Sequence, residues 1–132
     1  MDYILDTNIC IYIIKRKPQS VFSRLNEIPS KRIFISALTV AELEYGVRKS
    51  SRPEKNQIAL AEFLEPFTIL NFGSKAATEY GNIRYDLEKR GLPIGSLDLL
   101  IAAHAKSLNL IIVTNNEREF SRIANLTVEN WV

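Results

Sequence analysis

The chain has 132 residues, of which 46% are hydrophobic and 24% charged, with a formal net charge of +2. That length suits a single domain over residues 1–132 whose core needs neither disulfides nor a structural metal, and so small a net charge excludes attraction of nucleic acid by the whole-molecule field, leaving only local basic clusters to do it. A lone cysteine, Cys10, permits no internal disulfide and sits in Ile9-Cys10-Ile11, so it reads as a small core hydrophobe in a reducing, cytoplasmic setting; no stretch is apolar over a bilayer-spanning length, and the N-terminus lacks a signal peptide's basic start and long apolar centre.

Met1 to Leu5 reads as a short buried strand that ends at Asp6. Thr7 or Asn8 is placed to cap a helix whose apolar positions run through Ile13, before the polar break Lys15-Arg16-Lys17-Pro18. A second helix is expected over Ser20 to Glu27, and Ile33-Phe34-Ile35 is a brief β-rich run. Ser36 or Thr39 opens a helix through Val47, and Pro53 restarts helix over Glu54 to Glu65. Phe67 to Phe72 suggests a strand; Ser74 to Lys89 has helical periodicity and stops at Gly91 and Pro93. Ser96 is placed to cap a helix over Leu97 to Ser107, and Leu110 to Thr114 is the clearest strand, an almost unbroken aliphatic run. A short helix over Glu117 to Ile123 and a strand near Thr127 to Trp131 complete the order. Short apolar strands alternating with helices predict an α/β fold with a mostly parallel sheet covered on both faces. In such sheets ligands gather beyond the carboxyl ends of the strands.

Three acids interrupt segments that otherwise read as core: Asp6 after Tyr3-Ile4-Leu5, Glu42 after Leu38-Thr39-Val40-Ala41, and Asp98 within Ile94 to Ala103. A buried carboxylate must be paired, hydrogen-bonded, protonated or metal-bound. The pattern therefore suggests one pocket for a hard divalent cation, fed by Asp6 and by Thr114 to Asn116 at strand ends, by Asp98 at a helix start, and by Glu42 in the first turns of its own helix. Taken singly, each acid is more ordinarily a helix cap or an ion-pair partner. Glu44 points away from Glu42 on a helix and belongs to solvent or a salt bridge. His104 lies six residues after Asp98, off its helical stripe, and reads as a packed or partly exposed imidazole; with no second histidine, an imidazole acid–base pair is excluded.

Four ordered motifs carry a resemblance. Asp6-Thr7-Asn8 follows a first strand; Thr39-Val40-Ala41-Glu42-Leu43 comes with Tyr45-Gly46; Asp98-Leu99-Leu100-Ile101-Ala102-Ala103-His104-Ala105 comes next; Ile111-Ile112-Val113-Thr114-Asn115-Asn116 leads to Glu119-Phe120. Together they resemble the PIN-domain ribonucleases, and among them the VapC-type toxins of bacterial toxin–antitoxin operons. The resemblance implies a three-layer α/β/α fold, endoribonuclease activity dependent on Mg²⁺ or Mn²⁺, and an RNA substrate, with tRNA the family-level expectation. It also implies a homodimer, and a VapB-type antitoxin that masks the active site in a hetero-oligomer. Asp6, Glu42 and Asp98 match the family's acidic metal ligands. Many relatives place an Asp two residues beyond the strand-ending Thr, where this chain has Asn116; the resemblance then implies either that Asn116 contacts metal through its amide oxygen or water, or, the favoured reading, that Glu119 supplies the charge with Asn116 beside it. Thr7, Asn8 and Thr114 match polar positions that orient ligands or water.

Divalent metal on oxygen ligands suits phosphodiester hydrolysis, because it makes water nucleophilic near neutral pH and stabilises charge on the phosphoryl and leaving oxygens. Basic residues fall in segments: Lys15-Arg16-Lys17, Lys31-Arg32, Arg48-Lys49 with Arg52 and Lys55, and Arg84 with Lys89-Arg90. Most such clusters are solvated surface. Arg84, Lys89 and Arg90 are the expected RNA-phosphate contacts, since the loop from Gly91 to Gly95 leads directly to Asp98. Tyr45, Tyr80 and Tyr85 are assigned to packing before base stacking. Ile11, Ile13, Ile14, Val21, Phe22 and Leu25 supply either an antitoxin groove or core. Three other functions compete. An aspartyl phosphatase would carry a second Asp two residues after the first, where this chain has Asn8; a metal-dependent DNase shares the carboxylate logic; a binding module would use the acidic rim to receive a basic peptide.

Overall fold

The computed structural model describes residues 2–132; Met1, expected to open the first strand, lies outside them. The elements in chain order are β1 (Tyr3–Leu5), α1 (Thr7–Lys15), α2 (Gln19–Asn26), a 3₁₀ turn (Ser30–Arg32), β2 (Ile33–Ser36), α3 (Ala37–Arg48), α4 (Pro53–Leu64), β3 (Thr68–Leu70), α5 (Ser74–Lys89), α6 (Ser96–Ser107), β4 (Ile111–Val113), α7 (Glu117–Phe120) and β5 (Val128–Glu129). The strands form one sheet in the order β3-β2-β1-β4-β5, and every pairing is parallel. The expected three-layer α/β/α arrangement therefore holds, with the sheet wholly rather than mostly parallel.

Strand side chains alternate between the two faces, and each face carries its own core. Tyr3, Leu5, Ile33, Ile35, Ile111 and Val113 pack with Ile9, Cys10 and Ile13 of α1, Val21 of α2, Leu43 and Val47 of α3, and Leu60 of α4. Ile4 and Ile112 point the other way, onto Ile83 and Leu87 of α5, Leu99 and Ile101 to Ala103 of α6, and Phe120 of α7. This double covering explains why the strand sequences are continuously apolar. Cys10 is fully buried among aliphatic side chains, and burial with the nearby Asp6 charge raises its thiol well above the ordinary range, so it stays protonated.

The chain runs outward from β1 to β2 and β3, then returns across β1 to β4 and β5. The order reverses between β1 and β4, in register Tyr3↔Ile111 to Leu5↔Val113. That reversal opens a crevice at their carboxyl ends, where parallel α/β sheets place ligands.

Helix ends differ from expectation in two informative places. Asp6, not Thr7 or Asn8, caps α1: its Oδ1 accepts from the Ile9 amide at 2.9 Å. A carboxylate at the strand end is already in reach of the first free amides, so the strand-ending residue takes the role. Likewise α6 begins at Ser96 with Gly95 in the capping position and no side-chain cap. At the end of α5, Gly91 adopts φ 69°, and the Gly91 and Leu92 amides donate back to the Glu88 and Leu87 carbonyls. Only glycine takes that left-handed turn without strain.

Ser36 and His104 form a buried polar pair at the end of β2. Ser36 Oγ accepts from the Leu38 amide at 3.1 Å and lies 2.9 Å from His104 Nδ1. The imidazole is 1% exposed and stacks edge-on to Phe72 at 5.5 Å between ring centroids. It is therefore packed, and burial lowers its pKa, with the Asn71 carbonyl working weakly against that. Replacing Ser36 by Ala removes the α3 cap and leaves Nδ1 without its partner. The two losses together predict a destabilisation of about 2–3 kcal/mol, read as a lower urea midpoint at unchanged slope.

Candidate active site

Asp6 and Thr114 stand on either side of the crevice between β1 and β4. The Asp6 amide donates to the Val113 carbonyl at 3.0 Å, locking the two strand ends together. Asp6 is 4% exposed. Burial raises its pKa, and the Thr114 hydroxyl with the Ile9 and Asn8 amides pulls it partly back. Thr114 Oγ1 in turn accepts from the Asn116 amide at 2.9 Å, which bends the chain after β4 and turns Asn116 into the crevice.

Asp98 arrives from the first turn of α6, partly buried. Its carboxyl is pushed up to about 6 by burial first, then by the hydrogen bond and charge of Glu119 and the charge of Asp6, against which the Asn116 amide works. Asn116 Nδ2 bridges the site, donating to Asp98 Oδ2 at 3.4 Å and to Glu119 Oε2. Glu119 is fixed from its other side by the Gly95 amide, which donates to Oε1 at 3.1 Å. Burial tends to raise Glu119, but the Gly95 amide, Asp98, Asn116 and the Arg122 charge outweigh it and hold the carboxyl low. Asp6, Asp98 and Glu119 thus meet at one rim, with Asn116 and Thr114 between them.

Glu42 departs from expectation. The alternating apolar residues before it suggested burial, but α3 turns only Thr39, Leu43 and Val47 inward, and Glu42 is exposed. It makes no hydrogen bond or ion pair with another described residue. It lies instead on the wall of a groove of about 490 Å³ between α1, α3 and α4, which Thr7 and Asn8 also line. Glu42 and Asp6 therefore differ in setting: Glu42 is exposed on the groove wall, whereas Asp6 is buried at the strand end. Thr7 Oγ1 is buried there without a partner.

The basic residues also fall differently. Arg84 donates to Glu88 at 2.9 Å and to the Tyr80 hydroxyl, and Arg90 donates to Asp86 at 2.6 Å and to the Arg122 carbonyl at 2.6 Å. Both guanidinium groups are engaged within the protein by an acid one helical turn away, at the i, i+4 spacing that pairs charges along a helix. Lys89 remains exposed and makes no ion pair. The assignment of Tyr45 and Tyr85 to packing is corrected: they are 61% and 70% exposed, on outward faces of α3 and α5. Tyr45 carries Lys49 Nζ over its ring at 4.9 Å and lines the same groove as Glu42. Tyr80 is partly buried against the second core. Arg122, which no sequence motif marks, reaches the site by donating to the Pro93 carbonyl at 3.0 Å.

The donor set tests what the rim can hold. Asp6, Asp98 and Glu119 offer only oxygen, and none forms an ion pair with Lys or Arg. Negative charge concentrated and partly buried, relieved only in part by the Arg122 charge on Glu119, suits a hard divalent ion. Among the described residues no three acidic, imidazole or thiol groups stand close enough together to hold an ion between them. An ion at this rim would have to keep several of its own waters, as Mg²⁺ does.

A wholly parallel three-layer sheet with acids converging at its reversal point is the architecture of a PIN domain, and the PIN domain profile matches residues 3–126. The chain belongs to that family. Within it the chain is similar to VapC proteins along its full length. Ribonuclease VapC2 of Haemophilus influenzae is 49% identical over 132 residues, covering 100% of this chain and 99% of the relative. The tRNA(fMet)-specific endonuclease VapC of Shigella flexneri is 45% identical over 131 residues, 99% of this chain and 98% of the relative. A solved structure of VapBC2 from Rickettsia felis, bound to a DNA fragment from their promoter, superposes with a TM-score of 0.94 at 47% identity over 100% of both chains.

Proposed function

We propose that this chain is a divalent-metal-dependent endoribonuclease, the toxin of a toxin–antitoxin pair, and that it acts in the cytoplasm on structured RNA of the tRNA class. The observation that carries this reading is the meeting of Asp6, Asp98 and Glu119 at the β1–β4 reversal, with Asn116 bridging two of them. The relatives named as ribonucleases and as tRNA(fMet)-specific endonucleases support the substrate class, and the relative solved as VapBC2 supports an antitoxin partner. No helix among the described residues is long and apolar enough to cross a membrane, and the lone buried thiol fits a reducing compartment.

Asp6 and Asp98 would hold Mg²⁺ or Mn²⁺, with Glu119 as a further donor and Glu42 acting across the groove through water. The bound ion supplies a nucleophilic water and stabilises charge on the phosphoryl group. The protein's own part is positional. Thr114 and the α1 amides hold Asp6, and Asn116 holds the heads of Asp98 and Glu119, so that the carboxylates are in place before substrate arrives. Lys89, with Lys15 and Lys49 on the groove rim, is free to meet RNA phosphates. The groove itself, with Ile11, Ile14, Leu43, Val47 and Leu60 on its floor, offers the apolar surface on which an antitoxin segment would lie, its end reaching Glu42. Of the residues first considered for such a groove, Ile13 and Val21 are core, while Phe22 faces a neighbouring hollow with Ile14 and Phe63.

The test is cleavage of total RNA and of a matched single-stranded DNA by purified protein, with Mg²⁺ or Mn²⁺ titrated in and chelator as control. Cleavage of RNA that vanishes with chelator is the expected result. Cleavage that persists in chelator, or that favours DNA, would overturn the reading.

A further inference from the structure

Arg90 and Arg122 fall outside the carboxylate cluster, yet both are tied to the segment that carries it. Arg122 follows α7 and donates to the Pro93 carbonyl at 3.0 Å, across 29 residues of sequence. Arg90 ends α5 and donates to the Arg122 carbonyl at 2.6 Å, across 32 residues, while Asp86 holds its guanidinium with contacts of 2.6 and 3.1 Å. Between these two contacts lies the loop from Gly91 to Gly95, whose last amide donates to Glu119 Oε1. Three residues beyond Gly95 comes Asp98, and a Cβ added at Gly95 would stand 3.6 Å from Asp98 Oδ2.

The connections form a closed chain: Asp86 to Arg90, Arg90 to the Arg122 backbone, the Arg122 side chain to Pro93, and Gly95 to Glu119. Every bond in it crosses between the α5–α6 loop and the α7 region, or fixes a group that does. The α7 helix has only four residues and does not hold itself. Apart from the crossing bonds, the α7 region is held by Asn116 and by the buried Phe120 and Ile123. We propose that Arg90 and Arg122 are positioning residues which clasp the α5–α6 loop to α7, and so set the spacing of Asp98 and Glu119 for the reaction. The inference rests on the endonuclease reading for its catalytic consequence and on hydrogen bonds alone for its structural one. It replaces the expectation that Arg90 binds RNA: Asp86 and a carbonyl engage three of the five guanidinium donors and fix its orientation, so that only Nη1 is left to face a phosphate.

Arg122→Ala, Arg122→Lys, Arg90→Ala and Arg90→Lys separate the two roles. Exchange of the single Gly95 amide proton, followed by NMR on metal-free protein, reads the clasp without any activity. RNA cleavage read as kcat against KM, repeated over a range of salt, reads its consequence. The clasp predicts Gly95 exchange faster by about tenfold or more in the Ala variants. It also predicts kcat lower by about 10- to 100-fold, as for other residues that orient ligand groups, with KM and its salt dependence unchanged. Lysine, which keeps one donor, should recover part of both effects. Phosphate contact predicts instead a raised KM and a salt slope shallower by about 0.7 per lost contact; that result overturns the proposal, as does Gly95 exchange at the wild-type rate or faster exchange with unchanged kcat. If wild-type protein cleaves no RNA, the endonuclease reading fails by itself, and Gly95 exchange then decides the clasp alone.

Discussion

An Asp98→Asn protein is expected to lose RNA cleavage by about a thousandfold or more, roughly 4 kcal/mol of transition-state stabilisation, while melting higher than wild type in the absence of metal. The two effects have one cause. Asp98 is raised to about 6 because burial and two neighbouring acids oppose its ionisation. A raised acid binds its proton more tightly when folded than when unfolded, so stability falls as pH climbs from about 4 to 6, and the deficit is complete above 6. Asparagine removes the charge that burial and the neighbouring Glu119 and Asp6 carboxylates oppose. Allowing for solvent at a partly exposed site, the gain near pH 7 is about 1 kcal/mol, or about 4 °C in melting temperature. It should shrink to nothing near pH 4. Added Mg²⁺ should then stabilise wild type and leave the variant unmoved, since only binding to the folded state raises stability. Thermal melts across pH, with and without Mg²⁺, check all three; a variant that melts lower than wild type at pH 7 without metal would refute the charge-crowding account.

Phe120→Ala is expected to have the largest effect on stability. Phe120 is fully buried, the largest of the side chains with essentially no exposure, and belongs to the core under α6. Removing it should cost about 3–5 kcal/mol. Its position makes the loss more than a cavity. It is the buried residue of a four-residue helix, it directly follows Glu119, and the capping position of that helix is Asn116. Cleavage should therefore fall even under conditions where the variant remains folded, whereas Phe120→Leu, which refills most of the space, should retain most of both. Urea denaturation beside single-turnover cleavage would separate them; full activity in a folded Phe120→Ala protein would show that α7 does not need its anchor.

What the sequence made legible divides by how local the determining physics is. Strand ends and helix starts follow from apolar runs and breakers, so Asp6, Asp98 and Thr114 could be placed on one rim before any coordinates. Glu42 is exposed where the neighbouring apolar residues suggest burial, because a helix turns about 100° per residue and admits only its Thr39-Leu43-Val47 stripe to the core. Arg84 and Arg90 were read as free charge because they lie close to Asp98 in sequence, while acids at positions 88 and 86 stand one turn away and capture them. Arg122 carried no signal at all: its role comes from a carbonyl 29 residues distant, and nothing in a linear pattern marks such a partner. The Ser36–His104 pair, 68 residues apart, was hidden for the same reason.

The central strand is the first to be made and its neighbour β4 almost the last, with Tyr3 facing Ile111 in register. A chain still emerging from the ribosome possesses Asp6 long before it possesses the strand that completes the crevice, or Asn116 and Glu119 beyond it. No N-terminal fragment that stops short of β4 can assemble the carboxylate rim. The hazard such an enzyme poses to the cell that makes it is thus deferred, by topology alone, until β4 and the residues just beyond it have been made.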